Sequence, residues 1–238
     1  MRIVLIGYGK MGKAIERVAV ARGHEVVLKI DLDNSIEMTR ENLSKADLAI
    51  EFTGPSSAAA NLLKCAEAGI RVVCGSTGWL EKYSDVKQAF EKKGSAFLYA
   101  SNFSIGVNIF FELNKKLASL MVPFPEYTVE MREIHHTQKK DAPSGTAITL
   151  AEQILDKIPS LKTWVNRPPE QAGELPILSE RLDPAPGTHI VKYYSSIDDI
   201  EIIHTAHNRE GFAGGAVLAA EFIQNKKGIF SMNDVLGF

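Results

Sequence analysis

The side chains best suited to chemistry lie in one run, Glu133–Ala147. The run contains two adjacent imidazoles, His135 and His136. It also contains two adjacent ammonium groups, Lys139 and Lys140. Imidazoles exchange protons near neutral pH, and ammonium groups attract anions and donate protons. The run therefore predicts a site that binds a small anion and transfers a proton, with either histidine or either lysine as the acid–base group.

The second half of the run is typical of a helix start. A helix is predicted over Thr146–Leu155, with Ser144 as its N-cap and no breaker before Pro159. The first amides of a helix have no intrahelical partner and carry partial positive charge, which favours a carboxylate or phosphate. A strand is predicted over Glu126–Ile134, so the run forms a loop between a strand and a helix. Each residue alone is more typical of a structural loop than of a site, and it is their combination in one loop that makes a functional site an equal alternative.

The adjacent histidines do not predict a metal site. Consecutive residues of a strand point to opposite faces, so His135 and His136 do not easily share one ion. Their spacing matches no familiar zinc pattern. We therefore expect no bound metal.

A second candidate site lies at the N-terminus of the chain. The residues Gly7, Gly9 and Gly12 follow an apolar strand, Arg2–Ile6, and open a helical run. This pattern, G-x-G-x-x-G, favours a dinucleotide pyrophosphate at the helix start, and Asp31 lies where a carboxylate commonly binds the adenosine ribose. The alternative is a structural glycine turn with an exposed aspartate. The predicted cofactor contacts in the turn are Gly7, Tyr8, Gly9, Lys10, Met11 and Gly12.

Strands and helices alternate through the first hundred residues, which predicts a doubly wound parallel sheet. Ligands of such sheets bind at the carboxyl ends of the strands. We therefore expect two further loops to border the nicotinamide, and they contribute Gly75, Ser76 and Thr77, and Ser101, Asn102 and Phe103. After the first strand, the predicted strands are 25–31, 46–53, 71–74 and 96–100, and the later helices are 56–68, capped by Ser56, and 81–92.

The second half of the chain follows a different pattern. A long helix is predicted over 105–120, and strands over 189–194 and 200–204 follow one another without a helix between them. Consecutive strands predict a mixed or antiparallel sheet in a second α+β domain. Residues 159–188 show no firm periodicity, and 214–225 is predicted to be the final, apolar helix.

The composition excludes several classes of protein. The chain has 238 residues, 45% of them hydrophobic, and a net charge of −2, which does not suggest a nucleic-acid-binding protein. The apolar run at 3–6 is too short to span a membrane or to act as a signal. The two cysteines suggest no disulfide framework. A cytoplasmic protein is expected.

With these motifs in order, the chain resembles the dihydrodipicolinate reductase family over nearly its whole length. The most specific marker is the loop described first. The motifs that carry the resemblance are Glu133-x-His135-His136-x-x-Lys139-x-Asp141-Ala142-Pro143-Ser144-Gly145-Thr146-Ala147, Gly7-x-Gly9-x-x-Gly12, Gly75-Ser76-Thr77-Gly78, Ser101-Asn102-Phe103-Ser104-x-Gly106 and Arg209-x-x-Phe212-x-x-Gly215-Ala216.

The resemblance implies an activity and roles for individual residues. The reaction would be loss of water from 4-hydroxy-tetrahydrodipicolinate and hydride transfer from NADH or NADPH, which yields tetrahydrodipicolinate in the diaminopimelate and lysine pathway. His135 would donate or accept a proton, and Lys139 would donate one. His136 and the backbone of Gly145 and Thr146 would bind the substrate carboxylates.

The resemblance also implies an assembly and a domain division. The chain would form a homotetramer through the sheet of the second domain, and its last helix would return to the first domain. The dinucleotide-binding domain would comprise residues 1–103 and 210–238, and the substrate-binding and oligomerisation domain residues 104–209. Gly54 stands where several relatives carry arginine, so one cofactor contact is expected to be absent.

The residues around Asp31 predict a moderate preference for NADH, with NADPH still used. A carboxylate there repels a 2′-phosphate, and only Lys29 and Lys10 are expected as nearby cations. Two other functions stay open: a different dehydrogenase of a small anion, and a non-catalytic dinucleotide sensor. The His135 and Lys139 pair argues against the sensor, and the dicarboxylate-suited loop argues against a neutral substrate.

Overall fold

The computed structural model describes residues 1–208 and 210–238. The chain divides into two compact units. The first contains Met1–Ile105 and the C-terminal segment after residue 209, and the second is Gly106–Asn208. Arg209, which belongs to one of the sequence motifs, lies outside the described residues.

The first unit is a parallel sheet with helices, as predicted, and the sheet has six strands. Its strand order is β11-β5-β4-β3-β1-β2, which places β1 beside both β2 and β3. The apolar residues of β1 are fully buried because helices pack on both faces of the sheet. The elements are β1 Arg2–Ile6, α1 Lys10–Ala21, β2 Glu25–Ile30, α2 Arg40–Leu43, β3 Leu48–Glu51, α3 Pro55–Ala68, β4 Arg71–Cys74, α4 Tyr83–Lys93, β5 Ala96–Tyr99, α7 Glu210–Ile223, β11 Gly228–Phe230 and α8 Met232–Leu236.

Two predictions for this unit were wrong. Helix α3 begins at Pro55 with Gly54 as its N-cap, so Ser56 lies inside the first turn and does not cap the helix. Proline suits the first helical position because its missing N–H would have no intrahelical partner there. The predicted final helix is followed by β11 and α8, and β11 pairs with β5 at the edge of the sheet.

The second unit is a five-stranded mixed sheet with two helices. The strand order is β10-β9-β6-β8-β7; β6 runs antiparallel to β9 and parallel to β8. Helix α6 supplies buried residues to the core that covers the inner face of this sheet. The elements are α5 Ile105–Met121, β6 Thr128–His135, α6 Gly145–Lys157, β7 Thr163–Val165, β8 Glu174–Arg181, β9 Gly187–Tyr194 and β10 Asp199–Ala206.

The sequence patterns missed two features of this unit. Residues 159–188, predicted to be irregular, contain β7 and β8. Strand β6 continues through His135, so this histidine belongs to the strand and not to the loop. Alternate residues of β6 are buried, which places Glu133 and His135 on the inner face and Ile134 on the outer face.

Two further features are the character of the helices and the state of the cysteines. Within residues 1–208 and 210–238, no helix combines the length and the apolar character needed to cross a membrane. Cys65 and Cys74 are both buried and free.

Candidate functional site

The glycine turn before α1 leaves open space beside Gly9, where the protein backbone is expected to contact the ligand. Gly7 has φ 90°, a left-handed conformation that favours glycine. A Cβ atom at Gly12 would overlap the carbonyl oxygen of Gly7, so the third glycine is required for close packing. At Gly9 a Cβ atom would meet nothing within 4 Å. The turn therefore combines two internally crowded glycines with one that faces open space.

Asp31 lies at the carboxyl end of β2 and caps a short 3-10 helix, Leu32–Glu37. Its carboxylate accepts a hydrogen bond from the amide of Leu32 at 2.9 Å. Its own amide donates to Oδ1 of Asn34 at 2.7 Å, which fixes the direction of the chain after β2. A cavity of about 400 Å³ opens at this edge of the sheet, and its lining includes Gly7, Gly9, Asp31, Leu32, Phe52, Thr53, Gly54, Ser57, Asn61 and Lys64.

The cations near Asp31 differ from those expected. Lys29 forms an ion pair with Glu16 at 2.6 Å, and its ammonium lies 4.8 Å from the ring centre of Tyr8. Lys64, on α3, lines the cavity that Asp31 lines, whereas Lys29 and Lys10 do not. The prediction that Lys29 and Lys10 would be the only nearby cations was therefore wrong. No sequence pattern pointed to Lys64, because it is distant in sequence from the glycine turn.

The two loops expected beside the nicotinamide follow β4 and β5. Ser76 is buried, and its hydroxyl accepts a hydrogen bond from the amide of Thr53 at 2.8 Å. Asn102 accepts from the amide of Ser104 through its side chain at 2.9 Å. The side chain of Phe103 is buried in the core against Phe52, and its carbonyl oxygen packs against Gly215 of α7, so the structure does not support Phe103 as a direct cofactor contact. Among the other predicted cofactor contacts, Lys10, Thr77 and Ser101 are exposed, Tyr8 and Gly75 are half-buried, and Met11 packs against the core.

In the second unit, a buried carboxylate organises the predicted catalytic region. The side chain of Glu133 is 0% exposed and lies 3.4 Å from Nδ1 of His135. Its oxygens accept hydrogen bonds from the amide of Ser144 at 3.1 Å and from the hydroxyl of Ser179 at 2.9 Å. We call the following residues the Glu133 cluster: Glu133, His135, Ser144, Ser179, Arg181 and His189.

The loop after β6 is held by hydrogen bonds to Arg181 and Asp183, which lie about 40 residues later in the sequence. The guanidinium of Arg181 donates to the carbonyl oxygens of Lys139 at 3.3 Å and of Asp141 at 2.5 Å. The carboxylate of Asp183 accepts from the amide and the hydroxyl of Thr137 at 3.1 and 2.6 Å. The ammonium of Lys139 forms two contacts of 2.8 Å with the carboxylate of Asp141. The loop thus holds Lys139 in an ion pair near the end of β6.

The predicted carboxylate-binding amides begin α6. Ser144 is the N-cap, as predicted, and its hydroxyl accepts a hydrogen bond from the amide of Ala147 at 3.2 Å. Gly145 is the first helical residue, and a Cβ atom there would meet nothing within 4 Å. His136 is half-buried directly after β6, and Thr146 is the second residue of α6.

The ionisation of the Glu133 cluster is shaped by burial. Burial lowers the pKa of His135, as do the positive charges of Lys139 and Arg181, while the charge of Glu133 opposes them. Burial, and then the charge of His135, lower the pKa of His189 to about 4. Burial acts to raise the pKa of Glu133, but hydrogen bonds from Ser144 and Ser179 outweigh it and lower the pKa.

Donor atoms of Glu133, His135 and His189 lie within 4.8 Å of one another, an arrangement that also occurs at metal sites. Here the oxygens of Glu133 already accept hydrogen bonds, and the guanidinium of Arg181 lies 3.3 Å from one of them. A second cation beside that guanidinium would be repelled. We interpret the group as an acid–base network.

Five residues of the Glu133 cluster were not predicted as site residues, and one of these, Ser144, was predicted only as the cap of the helix. Ser179 and Arg181 belong to β8, which the sequence patterns missed, and no signal pointed to them. His189 was recognised only as the start of a strand. Glu133 stood inside the predicted motif, and its position two residues before His135 on a strand was the available signal, because such residues share a face.

Comparisons with known proteins agree across the chain. Residues 1–103 match the family described as dihydrodipicolinate reductase, N-terminus, and residues 106–236 match the one described as dihydrodipicolinate reductase, C-terminus. The chain is 51% identical to the 4-hydroxy-tetrahydrodipicolinate reductase of Christiangramia forsetii, over 99% of this chain and 98% of that one. It is 36% identical to the enzyme of that name from Thermosipho africanus, over 99% and 98% of the two chains.

A solved structure agrees with the fold. The dipicolinate-bound dihydrodipicolinate reductase of a Paenisporosarcina species superimposes with a TM-score of 0.76. The two chains are 24% identical, and the superposition covers 97% of each. An amine dehydrogenase of Mycobacterium smegmatis is a more distant neighbour, at 12% identity and a TM-score of 0.61.

Proposed function

The chain belongs to the dihydrodipicolinate reductase family, and we propose that His135 and Lys139 perform the proton transfers of its reaction. The enzyme reduces 4-hydroxy-tetrahydrodipicolinate to tetrahydrodipicolinate, in the diaminopimelate and lysine pathway, with a nicotinamide dinucleotide as cofactor. Water is lost from the substrate, and a hydride then reaches C4 of the heterocycle. The single observation that carries the proposal is the Glu133 cluster, which holds His135 beside the start of α6.

The proton steps require an acid and a base. Loss of water beside an imine removes a C–H proton, and protonation of the reduced ring returns one. Because burial lowers the pKa of His135, its neutral imidazole is favoured at neutral pH and is suited to accept the first proton. The ammonium of Lys139 is suited to donate a proton, once the substrate has displaced Asp141 from it.

The substrate is a dicarboxylate, and the start of α6 offers it partners. The first amides of a helix are not used by the helix itself, and they favour negative charge. The amides of Gly145 and Thr146 occupy these positions, and His136 lies at the end of the adjoining strand. We assign one substrate carboxylate to these amides and to His136.

The first unit fits a nicotinamide dinucleotide, which supplies the hydride when it is bound. The open space at Gly9 suits a pyrophosphate, and the carboxylate of Asp31 suits the adenosine ribose. For the 2′-position we propose a moderate preference for NADH. Asp31 repels a 2′-phosphate, while Lys64 adds a cation to the same cavity, so NADPH is used as well.

We further propose a homotetramer that is assembled through the sheet of the second unit, in the cytoplasm. Helix α6 and the buried core cover the inner face of this sheet. Its outer face carries Ile134, Ile190 and Ile203, and Ile203 is 55% exposed. Apolar side chains on an open sheet face favour burial against another subunit. Light scattering at micromolar concentration tests the assembly, and a monomer would contradict it.

The two free, buried cysteines fit a reducing compartment, such as the proposed cytoplasm.

The function is tested with freshly generated cyclic imine substrate and a coupled assay that follows nicotinamide absorbance. Oxidation of the nicotinamide that depends on the imine is expected. Tight dinucleotide binding without turnover would favour the sensor, and turnover only with another anion would favour a different dehydrogenase.

A further inference from the structure

The buried carboxylate of Glu133 has more partners than a proton-transfer site of two residues requires. It contacts residues of three further regions: the loop before α6, strand β8 and strand β9. A buried carboxylate without hydrogen-bonded partners costs several kcal/mol, so these contacts are needed to keep it charged. Since hydrogen bonds lower its pKa, the charged form is the stable one.

One side of the carboxylate faces the imidazole of His135. Its Oε2 lies 3.4 Å from Nδ1 of that ring. On the other side of the ring, a Cβ atom at Gly187 would lie 3.0 Å from Nε2, which is tighter than ordinary contact. The imidazole is therefore confined between a carboxylate and a glycine backbone, and its side chain is 8% exposed.

The other side of the carboxylate fixes the start of α6. Both of its oxygens accept from the amide of Ser144 at 3.1 Å. The hydroxyl of Ser144 in turn caps the helix through Ala147 and contacts Nε2 of His189 at 3.1 Å. One carboxylate thus joins an imidazole to the residue that precedes the carboxylate-binding amides.

We infer that Glu133 is a positioning residue. Its carboxylate lies 3.4 Å from Nδ1 of His135 and accepts hydrogen bonds from the amide of Ser144 before α6, so that the acid–base group and the substrate-binding amides keep a fixed mutual geometry. The inference rests on the proposed roles of His135 and α6. A purely structural role is the alternative, and it requires only that the protein lose stability when Glu133 is changed.

The charge of Glu133 distinguishes the two roles. The charged and titratable groups that face His135 come from β6, the following loop, β8 and β9. Among them, Glu133 is the principal one that raises the pKa of His135. Removing that charge must therefore move the titration of His135 to lower pH. These groups are Glu133, Lys139, Asp141, Arg181 and His189.

The experiment compares Glu133→Gln with Glu152→Gln, an exposed position on α6. The titration of the His135 imidazole is followed by NMR, and kcat and KM are measured across pH. In Glu133→Gln we expect the titration and the corresponding limb of the pH profile to move together to lower pH. We also expect kcat to fall about tenfold or more, a part of the roughly hundredfold that a positioned acid–base group contributes. Glu152→Gln is expected to match the wild type.

A lower melting temperature with an unmoved His135 titration would overturn the inference. If Glu133→Gln does not fold, Glu133→Asp replaces it, because it withdraws the charge from His135 by one methylene. The same direction of shift is then expected, and an unmoved titration again contradicts the inference. The NMR titration needs no turnover, so an inactive wild type would refute the proposed function and leave this test intact.

Discussion

In the glycine turn at the start of α1 the functional feature is open space, whereas around Glu133 it is a buried charge. A Cβ atom at Gly9 would meet nothing within 4 Å. Glu133 is 0% exposed and accepts hydrogen bonds from Ser144, before α6, and from side chains of β8. The turn depends on backbone conformation over a few consecutive residues. The Glu133 cluster depends on residues that are distant in sequence, such as Glu133 and Arg181, which are 48 positions apart. The two sites should therefore fail in different ways when they are altered.

Lys139→Ala is expected to show the largest difference between the two sites, because it should impair turnover and leave cofactor binding unchanged. This variant should lower kcat by about a hundredfold or more, because a positioned general acid contributes roughly that much. Steady-state kinetics measures the loss, and dinucleotide affinity, measured by fluorescence titration, should not change. Lys140→Ala is the matched control. Normal turnover in Lys139→Ala, or an equal loss in Lys140→Ala, would contradict the assignment.

Acid should destabilise the second unit through His189. Its pKa is lowered from 6.5 to about 4 in the folded protein, so below pH 6.5 the unfolded chain takes up a proton that the folded chain does not. Stability is therefore complete above pH 6.5 and is lost as pH falls toward 4, by about 3 kcal/mol in all.

The measurement is urea unfolding at several pH values, read from hydrogen exchange of the amides of β6 and β9. In His189→Gln the dependence on pH should become shallower, because the glutamine does not titrate. If the slope in His189→Gln equals that of the wild type, the acid sensitivity comes from another group.

Two substitutions at Gly145 test whether its amide binds the substrate. Gly145→Pro removes the first amide donor of α6 but suits the helix, since proline is favoured at the first helical position and Ser144 before it is extended. We expect KM for the imine to rise about tenfold, since a hydrogen bond to a charged group contributes about 1.5 kcal/mol. Gly145→Ala keeps the donor and meets no neighbouring atom, so it should resemble the wild type. A parallel loss of dinucleotide affinity would indicate misfolding.

The smallest expected effect concerns cofactor choice at Asp31. Asp31→Ser should reduce the ratio of kcat/KM for NADH to that for NADPH by about fivefold, since a solvent-exposed charge pair contributes up to about 1 kcal/mol. Asp33→Ser, on the same exposed turn, is the control and should leave the ratio unchanged. A wild type that prefers NADPH, or an unchanged ratio in Asp31→Ser, would refute the preference.

The same contrast between local and distant contacts explains which features could be predicted from the sequence and which could not. Strand β1, the glycine turn and the cap at Ser144 were recognised because local backbone requirements determine them. Strand β8 was missed because its sequence contains Pro176 and ends in polar residues, so the sequence shows no alternation of apolar and polar positions. Those polar residues are explained only by distant partners, as in the 2.6 Å pair between Arg132 and Glu180. Contacts of this kind leave no pattern in either segment alone.

Strand β11 has a consequence for how the chain is made. It completes the sheet of the first unit by pairing with β5, yet the whole second unit lies between them in sequence. During synthesis, all of Gly106–Asn208 emerges before β11 exists. The second unit therefore has time to fold while the first still lacks an edge strand and exposes β5 to wrong pairing. The dinucleotide-binding unit is begun first and finished last.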